Sequence, residues 1–240
     1  MELVKDELKI KIFDTRERMG RAAADDVAFC IKKLLAQKEC INMIFAAAPS
    51  QNDFLEALID DKTIEWEHIN AFHMDEYIGL ESNALQGFGN FLKERIFDKV
   101  PFKSKFYING QSDNLQEECE RYAGLLDSYP ADIVCLGIGE NGHIAFNDPP
   151  ADFETDKAYI IVNLDQTCKQ QQVNEGWFGS LDEVPAQAIS MTVPQILKSR
   201  TIVTIVPGIR KGDAIQKTLS AETVTNLVPA TILKTHPDWN

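Results

Sequence analysis

Asp132-Ile133-Val134-Cys135-Leu136-Gly137-Ile138-Gly139-Glu140-Asn141-Gly142-His143-Ile144-Ala145-Phe146-Asn147-Asp148-Pro149-Pro150 is the stretch that decides the fold. Its first third is a short apolar run, the signature of a strand buried on both faces of a parallel sheet. Three glycines within six residues follow, Gly137, Gly139 and Gly142. They let the backbone turn sharply and approach a ligand closely. The spacing imitates a dinucleotide fingerprint, but that motif needs a long helix opening on its third glycine. Here the chain runs only as far as Pro149-Pro150, so a crossover helix is excluded.

Outward from this strand the pattern repeats. Residues 8–13 alternate and read as a strand exposed on one face, and Asp14 or Thr15 caps a helix over about 16–37. Residues 41–48 and 69–74 are buried strands with a helix at 52–60 between them. Helices are expected at 84–97 and 114–127, with a short strand at 106–108. Further strands are expected at 158–163, 187–192 and 201–206, and a helix at 209–219. Strands alternating with helices imply βαβ units. The expected fold is α/β: one Rossmann-like, three-layer domain over 1–240, its mainly parallel sheet covered by helices on both faces. Ligands of such sheets sit beyond the carboxyl ends of the strands, so the chemistry is sought there.

Composition narrows the function. The chain has 240 residues, 44% of them apolar and 25% charged, as in ordinary globular proteins. Twenty-four Lys and Arg against 37 Asp and Glu leave a net charge of −13, with no basic cluster longer than a pair. That argues against nucleic acid as a partner. No apolar run approaches the roughly 18 residues that a membrane span requires. The five cysteines are an odd set without a CxxC pair, which argues against a disulfide framework and a structural zinc site and fits a reducing cytoplasm.

Two strand ends carry ionisable groups. Phe72-His73-Met74-Asp75-Glu76-Tyr77-Ile78-Gly79-Leu80 places adjacent carboxylates at the end of an apolar strand, where burial would make one of them a base; the plainer reading is a pair of loop residues, one capping a turn. In the glycine loop, His143 is the natural acid–base group, and Asn141 and Asp148 stand close enough in sequence to orient it.

Together, Met74–Leu80 and Gly137–Pro149 resemble the glucosamine-6-phosphate deaminase (isomerase) family, which shares its fold with the 6-phosphogluconolactonases. The resemblance extends to Glu183-Val184-Pro185, Gly208-Ile209-Arg210-Lys211 and Pro229-Ala230-Thr231-Ile232-Leu233. The lactonase branch typically has Arg where this chain has Tyr77, and a different continuation after Gly142-His143. The resemblance implies a deaminase-like hydrolase/isomerase of amino-sugar metabolism with no metal or organic cofactor. Its implied substrate is a phosphorylated amino sugar, glucosamine 6-phosphate, converted to fructose 6-phosphate and ammonia. It also implies roles: Asp75 as the base at C2; His143 with Asn141 and Asp148 in ring opening; Ser50, Gly142 and Lys211 in substrate binding. Galactosamine 6-phosphate as substrate, a lactonase and a non-catalytic sugar-phosphate sensor stay open as alternatives, as does a homo-oligomer.

The chain departs from the family at several points. Asn141 stands where some members have Asp. Asp148 replaces the usual Glu, a carboxylate one methylene shorter and so shorter in reach toward His143. Ala46-Ala47-Ala48-Pro49-Ser50-Gln51 has no glycine where a Gly-Gly-Ser/Thr-Pro turn is usual, although Ser50 remains. Asn174-Glu175-Gly176-Trp177-Phe178 lacks the family's phosphate-binding Arg, which leaves Lys211 as the clear cationic match.

Overall fold

A computed structural model of the chain describes residues 2–5 and 8–239. Its central sheet has five parallel strands: β3 (Ile41–Phe45), β4 (Ile69–His73), β6 (Ser104–Lys105), β7 (Ile133–Leu136) and β10 (Thr201–Thr204). They lie in the order β10-β7-β3-β4-β6. Their apolar residues alternate between two faces as the pleat dictates. Met43, Phe45, Ala71, Cys135 and Val203 face α1 (Arg16–Leu35), α2 (Asn52–Asp60) and α3 (Phe88–Leu92). Ile44, Phe72, Val134, Leu136 and Ile202 face α4 (Leu115–Ser128), α6 (Val193–Leu197) and α7 (Gly212–Ser220). This is the expected three-layer α/β arrangement.

A second sheet is antiparallel. β5 (Asp75–Tyr77), β8 (Tyr159–Asn163) and β9 (Gln187–Met191) pair in the order β5-β9-β8. The two later strands therefore do not extend the parallel sheet. Burial along β8 alternates, as suits a sheet with one solvated face. The segment at 8–13 also lies outside the main sheet: β2 (Leu8–Lys11) forms an antiparallel ribbon with β1 (Glu2–Lys5).

The remaining differences are local. The helix expected from 84 starts at Phe88, and its last turn, Lys93–Phe97, widens to a π-helix. The strand expected at 106–108 lies two residues earlier, at Ser104–Lys105, although Phe106 N still bonds Ala71 O at 2.9 Å. Two short helices lie outside the expected pattern: α5 (Gln166–Asn174), capped by Asp165, and α6, capped by Thr192.

Candidate active site

The chain leaves the parallel sheet at His73 and enters the antiparallel one at Asp75, so Asp75 stands where the two sheets diverge. Ligands of such sheets sit beyond the carboxyl ends of the parallel strands, and Asp75 follows one of these ends. Asp75 is only 7% exposed. Among the described residues its carboxylate accepts no hydrogen bond; only its backbone carbonyl is bonded, to His73 Nδ1 at 2.9 Å. Burial, and then the neighbouring Glu76 charge, push its pKa well above the ordinary aspartate value. Glu76 differs: it accepts from the N–H groups of Tyr77, Phe88 and Gly89 at 2.8–3.0 Å, and so caps the start of α3.

His73 carries no sequence signal of its own. Its Nε2 accepts from Ile108 N at 2.9 Å, so Nδ1 carries the proton and donates to Asp75 O. Full burial lowers its pKa to about 4 and keeps it neutral. It is a strut holding the Asp75 peptide.

The loop after β7 carries the second group. His143 is 8% exposed, and its Nδ1 lies 3.0 Å from Asp148 Oδ1. The shorter side chain at position 148 therefore does reach the imidazole, although the contact is bent away from the ring N–H axis. Asn141 bridges the two. Its Oδ1 accepts from His143 N at 3.0 Å, and its Nδ2 donates to Asp148 Oδ1 at 2.9 Å. Burial alone would raise the Asp148 pKa. His143 beside it, with Asn141 and the Cys168 thiol, outweighs that and holds it below the ordinary value.

Two glycines are required by the loop's shape. A Cβ on Gly139 would lie 2.3 Å from the His143 ring, so the imidazole rests directly on that backbone. Gly142 has φ +87°, and a Cβ there would meet Val228 Cγ1 at 2.9 Å. Its N–H and C=O are both bonded, to Gly139 O and from Ala230 N, so Gly142 shapes the turn through groups already engaged within the protein.

One strand ties the two ends together. Ser190 of β9 is the register partner of Asp75, and its Oγ accepts from Phe146 N at 3.0 Å. Asn147 Nδ2 donates to Met191 O at 2.8 Å. Phe146 packs against Tyr77, ring centroids 5.5 Å apart. Tyr77 in turn feels the charges of Asp75 and Glu175, and Cys168 those of Asp148 and Asp75. His143, Asp148 and Cys168 also offer nitrogen, oxygen and sulfur atoms within 4.8 Å of one another, a donor set able to hold a metal ion.

Ser50 lies in the turn after β3 (Pro49–Gln51), where its Oγ accepts from Gln51 Nε2 at 3.2 Å. Gln51 Nε2 also reaches Ile205 O beyond β10. Lys211 follows β10 in the turn Ile209–Lys211 and is 8% exposed. Its Nζ lies 3.3 Å from Glu175 Oε1. The fold thus brings Asn141, His143 and Asp148 together, ties their loop to Asp75 through Ser190, and sets Ser50 and Lys211 after strands of the same sheet.

Residues 14–239 match the model of the glucosamine-6-phosphate isomerase/6-phosphogluconolactonase family. The chain belongs to that family. A glucosamine-6-phosphate deaminase from Streptococcus pneumoniae is 35% identical over 88% of both chains. One from Bacillus cytotoxicus is 35% identical over 76% of this chain and 68% of its own. Among solved structures, a monomeric glucosamine-6-phosphate deaminase superposes with a TM-score of 0.85 at 30% identity, covering 95% of this chain and 93% of that one. A 6-phosphogluconolactonase from Thermotoga maritima, at 18% identity and a TM-score of 0.73 over 92% of this chain and 93% of its own, shares the fold of the family. Among the described residues, no helix is long and apolar enough to cross a membrane.

Proposed function

We propose that the protein is an amino-sugar-phosphate deaminase/isomerase that converts glucosamine 6-phosphate to fructose 6-phosphate and ammonia. The observation that carries this reading is a buried aspartate whose carboxylate accepts no hydrogen bond among the described residues, tied through Ser190 to the loop of a histidine that stands 3.0 Å from a carboxylate. His143 moves a proton between the ring oxygen and the anomeric hydroxyl, opening the sugar. Asp148 and Asn141 orient the imidazole for that transfer. Asp75 then removes the C2 proton of the open chain, leaving an enediol-type intermediate with the amine still on C2. Returning a proton to C1 makes a C2 imine, and water replaces its nitrogen as ammonia leaves. The raised Asp75 pKa makes its carboxylate a stronger base, suited to a weakly acidic C–H.

Lys211 supplies the point charge for the phosphate, and Ser50 adds a hydroxyl on the same side. All of these groups come from one chain, and the relatives named deaminases support the choice of substrate. Five free thiols suit a reducing, cytoplasmic setting.

The test is ammonia release over a panel of glucosamine 6-phosphate, galactosamine 6-phosphate and the free hexosamines, with 6-phosphogluconolactone hydrolysis run beside it. The reading predicts ammonia from glucosamine 6-phosphate first. It fails if no hexosamine phosphate yields ammonia, or if the lactone is the faster substrate.

A further inference from the structure

Lys211 is not a free cation. Its Nζ lies 3.3 Å from Glu175 Oε1, and both side chains are mostly buried, at 10% and 16% exposure. Gln171 Nε2 donates to the same Oε1 at 2.9 Å. Gln171 Oε1 in turn accepts from Glu140 N at 3.0 Å, in the loop that carries His143. Glu175 is thus fixed between the lysine and the catalytic loop. The neighbouring Arg210 is exposed and bonds Asn174 O instead. The buried Lys211–Glu175 pair therefore sums to about zero where a phosphate dianion needs a positive seat. A phosphate placed on Lys211 would stand beside the Glu175 carboxylate, and like charges at such distances in a partly buried site repel by amounts that change affinity severalfold or more.

The side chain itself gives that carboxylate a way out. Glu175 closes α5, and the backbone there is held by bonds from Gly176 N to Val173 O and from Trp177 N to Gln172 O. Rotation about the side-chain bonds of Glu175 moves its carboxylate off Lys211 without breaking that cap.

We propose that Glu175 is a specificity-determining residue of the anion end: a built-in counter-ion that competes with the substrate phosphate for Lys211 and must be displaced when that phosphate binds. The proposal rests on the reading of Lys211 as the phosphate lysine. It predicts a weaker grip on phosphate than the fold could provide.

Glu175→Gln keeps the shape and the bond from Gln171 while removing the charge. Isothermal titration with inorganic phosphate should show binding about 10-fold tighter in this variant than in the parent, and the KM for glucosamine 6-phosphate should fall by a similar factor with kcat little changed. Adding Lys211→Met should cancel the gain. Unchanged or weaker phosphate binding in Glu175→Gln overturns the proposal, as does a gain that survives Lys211→Met. The phosphate titration does not depend on turnover. If the parent shows no deaminase activity but the titration shows the gain, the proposed reaction falls while the role of Glu175 stands. Activity without the gain has the opposite meaning.

Discussion

Asp75 and Asp148 are two aspartates beyond the carboxyl ends of the parallel strands, and their surroundings push their acidities apart. Asp75 ends a strand, is buried beside Glu76, and has no donor aimed at its carboxylate among the described residues. Asp148 lies in a loop, takes a hydrogen bond from Asn141 and stands 3.0 Å from His143 Nδ1. The first is shifted up and the second down. Two like groups with opposite shifts mark different duties: Asp75 can give and take a proton, whereas Asp148 stays charged and steadies an imidazole.

The hardest test of this contrast is Asp75→Asn. It should lower kcat by about 10⁴-fold, the upper end for loss of a general base, and stop solvent deuterium exchange at C2. Exchange at the parental rate would reverse the assignment. In the parent, the acid limb of kcat/KM should lie at higher pH than an ordinary aspartate gives, since Asp75 must be ionised to act.

His143→Gln tests the other side. It should cost about 10²–10³-fold on the cyclic substrate and far less on an open-chain analogue. Equal losses on both would dissolve the division of labour.

Lys211→Ala touches neither aspartate and separates binding from chemistry. A charge-assisted contact contributes about 1.5–3 kcal/mol, so KM for the phosphorylated sugar should rise about 10- to 100-fold with kcat little affected. A fall in kcat instead would place the lysine with the reacting groups.

The smallest effect concerns stability. The folded pKa of Asp75 lies above its unfolded value, so its contribution to stability is complete below the unfolded pKa and is lost as pH rises through the folded one. Ionising it costs more in the folded chain than in the unfolded one. Asp75→Asn should therefore raise Tm at pH 7, where each 1 kcal/mol corresponds to about 2–4 °C at this chain length, and the gain should shrink at pH 4. A loss of Tm at pH 7 would mean that the carboxylate holds the fold together.

Much of this is legible in the order of the residues. Ile133–Leu136 followed by three glycines announces a buried parallel strand and a loop that lets a backbone come close, and the fold contains both. Asp75 and His143 stand out because each follows an apolar run that ends at the crevice. The direction of β8 and β9 is not legible, because a five-residue apolar strand reads alike in parallel and antiparallel ladders. His73 is hidden as well, since only the fold brings Ile108 N to its Nε2, 35 positions away. Glu175 is visible in the sequence only as the absence of an arginine. Its pairing with Lys211 spans 36 positions and depends on where α5 and the turn after β10 come to rest.

One strand, β9, holds both halves of the crevice: Ser190 faces Asp75 in the ladder and accepts from Phe146 N, while Met191 O receives Asn147. Opening of that strand therefore loosens both the base and the loop that carries the imidazole. The protein should lose ring opening and C2 exchange together as it is warmed, with a single inactivation curve and no intermediate that retains one activity alone.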